Sequence, residues 1–269
     1  MTTQELQAVC RQVRRDIVEM TAAAASGHPG GSLSAVELTV GAFYHAMRVD
    51  PANPHWEGRD RFVLSKGHVS PCYYGVLAEK GFFPREELMT FRQLHSRLQG
   101  HPDAKKLPGV DASTGSLGQG VSIANGMALG AKLLGKDTKV FVLCGDGELQ
   151  EGQIWEAFMS AAHYHLDNLT VLIDWNGLQI DGSNDEVMSL GDMPAKLRAF
   201  GFDFCEIDGH DLDAIEAALS APVVPGKPRC ILAHTVKGKG VSFMENQAGW
   251  HGKAPNAEQR DQALQELEG

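Results

Sequence analysis

The second half of the chain alternates short apolar runs with helical stretches, and this alternation constrains the fold more than any other feature. Residues 138–144 read as a strand, 152–165 as a helix, 169–174 as a strand and 193–200 as a helix; a strand at 202–208, a helix at 211–219 and a strand at 229–235 follow. Strands and helices in strict alternation imply a parallel sheet covered on both faces. The expected fold class is therefore α/β, an open parallel sheet with helices on both faces.

The first half is less regular. Leu6, Val9, Val13, Ile17 and Met20 recur at three- and four-residue steps and predict a helix over 3–25. Ser26-Gly27-His28-Pro29-Gly30-Gly31 stops it, and Ser32 or Ser34 is expected to cap a following helix that reaches about Met47. A surface loop spans 48–60, and Arg61 to Ser65 reads as a short strand. Helices are expected at about 70–80 and 85–94, the second opened by Pro84. Residues 99–117 form a long irregular stretch, of the kind that is usually functional or disordered, and Gly118 to about Leu134 is a helix rich in small residues. The polar tail from Trp250 onward is expected to be loosely held. No repeat or linker divides the sequence, so residues 1–269 read as one domain.

Composition narrows the function classes. Lys plus Arg is 24 and Asp plus Glu is 34, a formal charge of −10 with no basic block, which disfavours nucleic acid as a partner. The longest apolar run, Val140 to Cys144, falls far short of the roughly twenty residues of a membrane span. The N-terminus lacks the basic and apolar regions of a signal peptide. Five scattered cysteines with no C-x-x-C spacing argue against a disulfide framework or a thiolate zinc site, and a cytoplasmic location is expected.

In an open α/β sheet, ligands bind outside the carboxyl ends of the strands. Four such ends carry polar loops: Ser65-Lys66-Gly67-His68, Gly145-Asp146-Gly147-Glu148, Asp174-Trp175-Asn176-Gly177 and His234-Thr235-Val236-Lys237-Gly238. The glycines around Asp146 allow close backbone approach and are expected to free N–H groups for a phosphate. Asp146 offers a carboxylate oxygen and Asn176 an amide oxygen, a set suited to Mg²⁺ bridging a diphosphate. Taken alone, the Gly-Asp-Gly run reads equally as a turn in which Asp146 caps a helix. The 28 residues between Gly147 and Asn176, one helix plus one strand, bring two neighbouring strand exits together. His28, His68, His101 and His251 lie in glycine- or proline-rich loops; singly they read as turn residues, together as groups for proton transfer and hydroxyl binding. They lack the short local pairing of zinc ligands. His163 and His165 read as surface residues, and His45, His55, His95, His210 and His234 carry no signal. Thr114-Gly115-Ser116-Leu117-Gly118-Gln119-Gly120 resembles an anion loop without P-loop or dinucleotide spacing.

These stretches together resemble the N-terminal, thiamine-diphosphate-binding domain of the transketolase family along nearly the whole chain. The resemblance rests on SGHPGGSLSAVELTV (26–40), LSKGH (64–68), GHPD (100–103), TGSLGQG (114–120), GDGELQEGQIWEA (145–157), WNGLQIDG (175–182), HTVKGKG (234–240) and WHG (250–252). It implies that Asp146, Asn176 and the Leu178 carbonyl hold Mg²⁺ or Ca²⁺ on thiamine diphosphate. It implies that Gly147, Lys237, His251 and His68 contact the diphosphate and that Gly115, Ser116 and Leu117 line the cofactor. His28, His68, His101 and His251 would face the sugar, with Lys66 a weaker candidate nearby. Gly31 departs from relatives that carry a cofactor-touching serine, and Glu151 resembles an acid placed at a subunit interface.

Full-length members continue for several hundred residues with a pyrimidine-binding domain, which carries the activating glutamate, and a third domain; nothing after about residue 252 matches them. The resemblance thus implies one subunit of a split enzyme, transferring a two-carbon ketol unit from a ketose phosphate to an aldose phosphate, with a C-terminal partner subunit in a heterotetramer. The alternative readings are another thiamine-diphosphate ketol-transfer enzyme for a specialised sugar phosphate, a deoxyxylulose-phosphate-synthase-like condensation and a non-catalytic regulatory subunit.

Overall fold

The computed structural model describes residues 1–268. Helix α1 (Thr3–Ala23) opens on a capping box: Thr2 Oγ1 accepts from the Glu5 N–H, and the Glu5 carboxylate accepts from the Thr2 N–H. After the glycine-rich turn come α2 (Pro29–Ser34) and α3 (Val36–Gly41), the latter running into a π-helical turn at Ala42–Ala46. Strand β1 (Arg61–Leu64), α4 (Ser70–Lys80), a 3₁₀ turn (Arg85–Thr90) and α5 (Gln119–Leu133) follow. The regular half comprises β2 (Val140–Gly145), α6 (Gly152–His163), β3 (Leu169–Trp175), a small hairpin of β4 (Leu178–Gln179) and β5 (Gly182–Ser183), α7 (Asn184–Met188) and α8 (Met193–Ala199). It ends with β6 (Asp203–Asp208), α9 (Leu212–Ser220), β7 (Arg229–His234) and α10 (Ala257–Glu266).

Five strands form one parallel sheet in the order β1-β2-β3-β7-β6, the α/β architecture expected from the alternation. Because strand side chains alternate between faces, the sheet separates two cores. Phe62, Leu64, Phe141, Leu143, Leu172 and Ile231 pack with α1, α3, α4 and α9 on one side. Val63, Val140, Val142, Val171, Ile173 and Leu232 pack with α5, α6 and α8 on the other. No helix among the described residues is long and apolar enough to cross a membrane.

Three expectations are corrected. Ser32 and Ser34 do not cap a helix. The helix opens at Pro29, where proline loses no intrahelical bond; the Ser32 hydroxyl donates to the His28 carbonyl and the Ser34 hydroxyl to Asp174. The helix expected at 85–94 is only the 3₁₀ turn, because Arg92 (φ 59°) and His95 (φ 67°) turn left-handed and carry the chain back under Ser26. The tail is not loose: α10 is capped by Asn256 and Gln259, Ala263 and Leu267 are buried, and Glu266 accepts from the Ser242 N–H and hydroxyl. Its apolar stripe is too narrow to stand out in a polar sequence.

Candidate functional site

Gly145, Asp174 and Ala233 stand in one row across β2, β3 and β7, and Leu64 of β1 pairs with Leu143. The four exit loops therefore begin at the same height. Between them lies a cavity of ≈ 240 Å³ lined by Gly31, Lys66, His68, Leu117, Asp146, Gly147, Asn176, Leu178, Lys237 and His251, among others. A roomier cavity of ≈ 380 Å³ sits at the opposite, amino end of the sheet, bordered by Lys139, Asp167 and Arg229. Convergence of strand exits, and not volume, marks the smaller one as the site.

Charge in the cavity is arranged in two layers. Deeper, Asp174 is fully buried at the end of β3 and accepts from the Lys66 ammonium, the Thr235 hydroxyl and, at 2.5 Å, Ser34 Oγ. Burial pushes its carboxyl up, but Lys66 and the hydroxyls outweigh burial and hold it below the usual range. Nearer the opening, Asp146 accepts from the Gly147 N–H at 2.8 Å and the Gly177 N–H at 2.5 Å. Burial and the neighbouring Asp174 raise its pKa. The Gly147 N–H is thus spent on Asp146 and the Gly145 N–H on Glu148, so these two groups are not free for a phosphate as the sequence suggested. Asp146 does cap the 3₁₀ turn at Gly147–Gln150, as the turn reading expects, and it also borders the cavity.

Asn176 Oδ1 accepts from the Leu178 N–H at 3.2 Å, and the Leu178 carbonyl accepts from Lys237 Nζ at 3.2 Å. Lys237 also donates to His251 Nδ1 at 3.1 Å; burial brings its pKa down to about 8. Lys66, ranked low from sequence, is central.

Of the four loop histidines, three meet. The rings of His28, His68 and His251 stand 5.1–5.4 Å apart, centre to centre. Burial, with the charge of Arg92, lowers the His28 pKa to about 4; burial, with Lys237, lowers that of His251 to about 3. His68 is driven well below its usual value by burial and Lys66. All three are neutral at pH 7. Arg92 donates to His28 Nδ1 and Lys237 to His251 Nδ1, which leaves the ring proton of each on Nε2. His101 stands apart, stacked over Gly115, where a Cβ would come 2.9 Å from its Cγ.

Leu117 lines the cavity, Ser116 is exposed and Gly115 (φ 147°) turns the loop. Gly31 faces the cavity too: a Cβ there would lie 3.2 Å from Val69 Cγ2, a close fit for serine. Glu151 is exposed at the start of α6.

Sequence reasoning gave no role to Glu148. Its buried carboxylate accepts from Ser65 Oγ (2.5 Å), the Gly118 N–H (2.8 Å) and the Gly145 N–H (3.1 Å), tying three site loops together. It also missed Asp174, although a carboxylate ending an otherwise apolar central strand is itself a signal.

A family model described as the transketolase thiamine diphosphate binding domain matches residues 3–268. The chain belongs to the transketolase family. It is 42% identical to one subunit of the apulose-4-phosphate transketolase of Phocaeicola vulgatus, over 99% of this chain and 95% of that protein. It is 42% identical to the 6-deoxy-6-sulfo-D-fructose transketolase subunit SqwG of a Clostridium species, over 98% of this chain and 96% of that one. The crystal structure of transketolase from Campylobacter jejuni superposes with a TM-score of 0.92 at 35% identity, covering 100% of this chain but 43% of that chain. The present chain thus spans about two fifths of that transketolase.

Proposed function

We propose that the chain is the cofactor-anchoring subunit of a two-component transketolase. The observation that carries this reading is the convergence of Asp146, Asn176, the Leu178 carbonyl, Lys237 and the neutral His68 and His251 on one cavity at level strand exits, with the His28 ring packed against both. The length relationships support it, since the chain matches nearly all of two proteins named as subunits and under half of a one-chain transketolase.

The residues fit a divalent cation. One carboxylate, one amide oxygen and one backbone carbonyl form an oxygen set of the kind a hard cation takes, and the Leu178 carbonyl already holds a positive group, the Lys237 ammonium. Among the described residues no group of three or more His, Cys, Asp or Glu is poised for a metal, which suits a site whose remaining ligands come from a diphosphate. In this reading Asp146, Asn176 and Leu178 hold Mg²⁺ or Ca²⁺. Lys237, His68 and His251 bind the diphosphate, Gly147 lies beside it with its N–H held by Asp146, and Gly115, Ser116 and Leu117 border the cofactor.

Thiamine diphosphate, when bound, supplies the carbon nucleophile that accepts the two-carbon unit. This chain's part is to bind, orient and move protons. His28 and His251 offer Nε2–H donors beside His68, and His101, set apart against Gly115, is assigned a separate contact to the sugar hydroxyls. A partner subunit would bring the pyrimidine pocket and the activating glutamate, in a heterotetramer. Ile180, which borders the cavity yet is 64% exposed, is the kind of surface such a partner covers.

Reconstitution tests the proposal. The chain is mixed with a candidate C-terminal half, thiamine diphosphate and Mg²⁺, and ketol transfer is followed from ketoses carrying a phosphate or a sulfonate. Activity is expected only in the mixture, and Asp146→Ala should abolish it together with metal-dependent cofactor binding. Wild-type activity in that variant would refute the metal site.

A further inference from the structure

Beyond Thr235, whose N–H still donates to the Trp175 carbonyl, the loop that carries Lys237 leaves the sheet, and Gly238 (φ 80°) and Gly240 (φ 91°) bend it sharply. It is gripped from behind, on the side away from the cavity. The Val236 N–H donates to His210 Nε2 at 2.8 Å, and the Lys239 carbonyl accepts from Arg14 Nε at 3.1 Å. These two backbone atoms flank Lys237. Glu37 joins the two grips: its carboxylate pairs with Arg14 through two contacts of 2.7 Å and with His210 Nδ1 at 3.0 Å.

The chemistry of the trio is fixed by its bonds. Because the Val236 N–H must donate, His210 Nε2 is bare and its proton sits on Nδ1, aimed at Glu37. Burial pushes the Glu37 carboxyl up, but His210 and Arg14 outweigh burial and keep it ionised. Arg14 comes from α1, Glu37 from α3 and His210 from the turn after β6, so three separate elements meet at one loop. Gly209 makes the meeting possible, since a Cβ there would lie 2.5 Å from Thr235 Cγ2. None of the three borders the cofactor cavity; they line a second cavity behind it.

We propose that Arg14, Glu37 and His210 form a positioning unit for Lys237. By fixing the backbone on both sides of this residue, they hold its ammonium toward the Leu178 carbonyl and the cavity, and so set the affinity for the cofactor's diphosphate. Buried ion pairs are a weak source of stability in themselves. Residues that orient a ligand-binding group from behind commonly change affinity 10- to 100-fold. The inference rests on the reading of the cavity as a thiamine diphosphate site.

The test uses the full chain with His210→Ala, His210→Gln and Lys237→Ala. In the unliganded protein, amide exchange at Val236 is expected to rise about tenfold or more in His210→Ala while β2 and β3 keep their protection. Titration with thiamine diphosphate and Mg²⁺, with the candidate partner half present, should show a 10- to 100-fold loss for His210→Ala. His210→Gln, whose amide oxygen can accept from the Val236 N–H, should recover most of it. In a Lys237→Ala background the His210→Ala loss should vanish, because the effect runs through the ammonium.

Unchanged exchange, affinity within about twofold of wild type, or an equal loss in the Lys237→Ala background would each overturn the positioning role. Affinity unaltered by both Lys237→Ala and Asp146→Ala would overturn the cofactor reading and this inference with it. Should His210→Ala fail to fold, Arg14→Lys keeps the charge on Glu37 but loses the Lys239 contact. The same weakening is then expected, and wild-type affinity would be the refuting result.

Discussion

Replacing Lys237 with methionine should stabilise the unliganded chain at neutral pH. The side chain is 2% exposed, and burial is the main reason its pKa falls from 10.5 to about 8. A fall of that size makes the charged form about 3 kcal/mol worse off in the fold than in water. Methionine fills similar unbranched space without the charge. It gives up the bonds to the Leu178 carbonyl and His251 Nδ1, worth together about 1–2 kcal/mol net. The variant should therefore be more stable by about 1–2 kcal/mol below pH 8. Between pH 8 and 10.5 the folded chain holds fewer protons on Lys237 than the unfolded chain does. Wild-type stability then rises with pH through that window, and the advantage of methionine should fade across it. Urea unfolding of protein stripped of divalent cations, at pH 7 and again near pH 10, reads both effects. A variant that unfolds earlier than wild type at pH 7, or an advantage that persists undiminished at high pH, would refute the reasoning.

Other perturbations have equally definite outcomes. Glu148→Gln leaves an amide NH₂ facing one of the backbone N–H groups that the carboxylate now satisfies, and should cost about 1–3 kcal/mol, read as a lower Tm. Gly115→Ala places a methyl group against His101 on backbone with φ 147°, which costs a side chain about 1–3 kcal/mol, so Tm should fall together with kcat/KM of the reconstituted pair. Ala263→Asp puts a carboxylate into the contact between α10 and α1 and should open residues 257–266 to limited proteolysis, at about 2–3 kcal/mol.

The sheet was readable because the middles of β2, β3 and β7 are buried on both faces and therefore run apolar, at 140–144, 171–173 and 230–233; no tertiary detail is needed to see them. The pairing of Asp146 with Asn176 was readable because one helix and one strand must separate two neighbouring exits of a parallel sheet. The 85–94 segment was not, since what ends its helix is a left-handed turn at Arg92 stabilised by Ser26, a contact 66 residues away in sequence. His210 gave no signal for the same reason: its partners Glu37 and Val236 come from distant parts of the chain. Helix α10 hid behind its composition, because a helix docking through Ala263, Leu264 and Leu267 needs only a few apolar positions. The freed N–H groups expected at the Gly-Asp-Gly turn failed on local geometry, since the carboxylates of the same turn claim them first.

Four polar exit loops gather at the carboxyl end of the sheet, and this leaves the amino end open to instruments that keep clear of the cavity. The segment 221–227 precedes β7 and is solvent-facing apart from Gly226. Six strand residues, roughly 20 Å, separate it from the cavity. A fluorophore or an affinity tag at that end could follow cofactor loading without touching a group that lines the cavity.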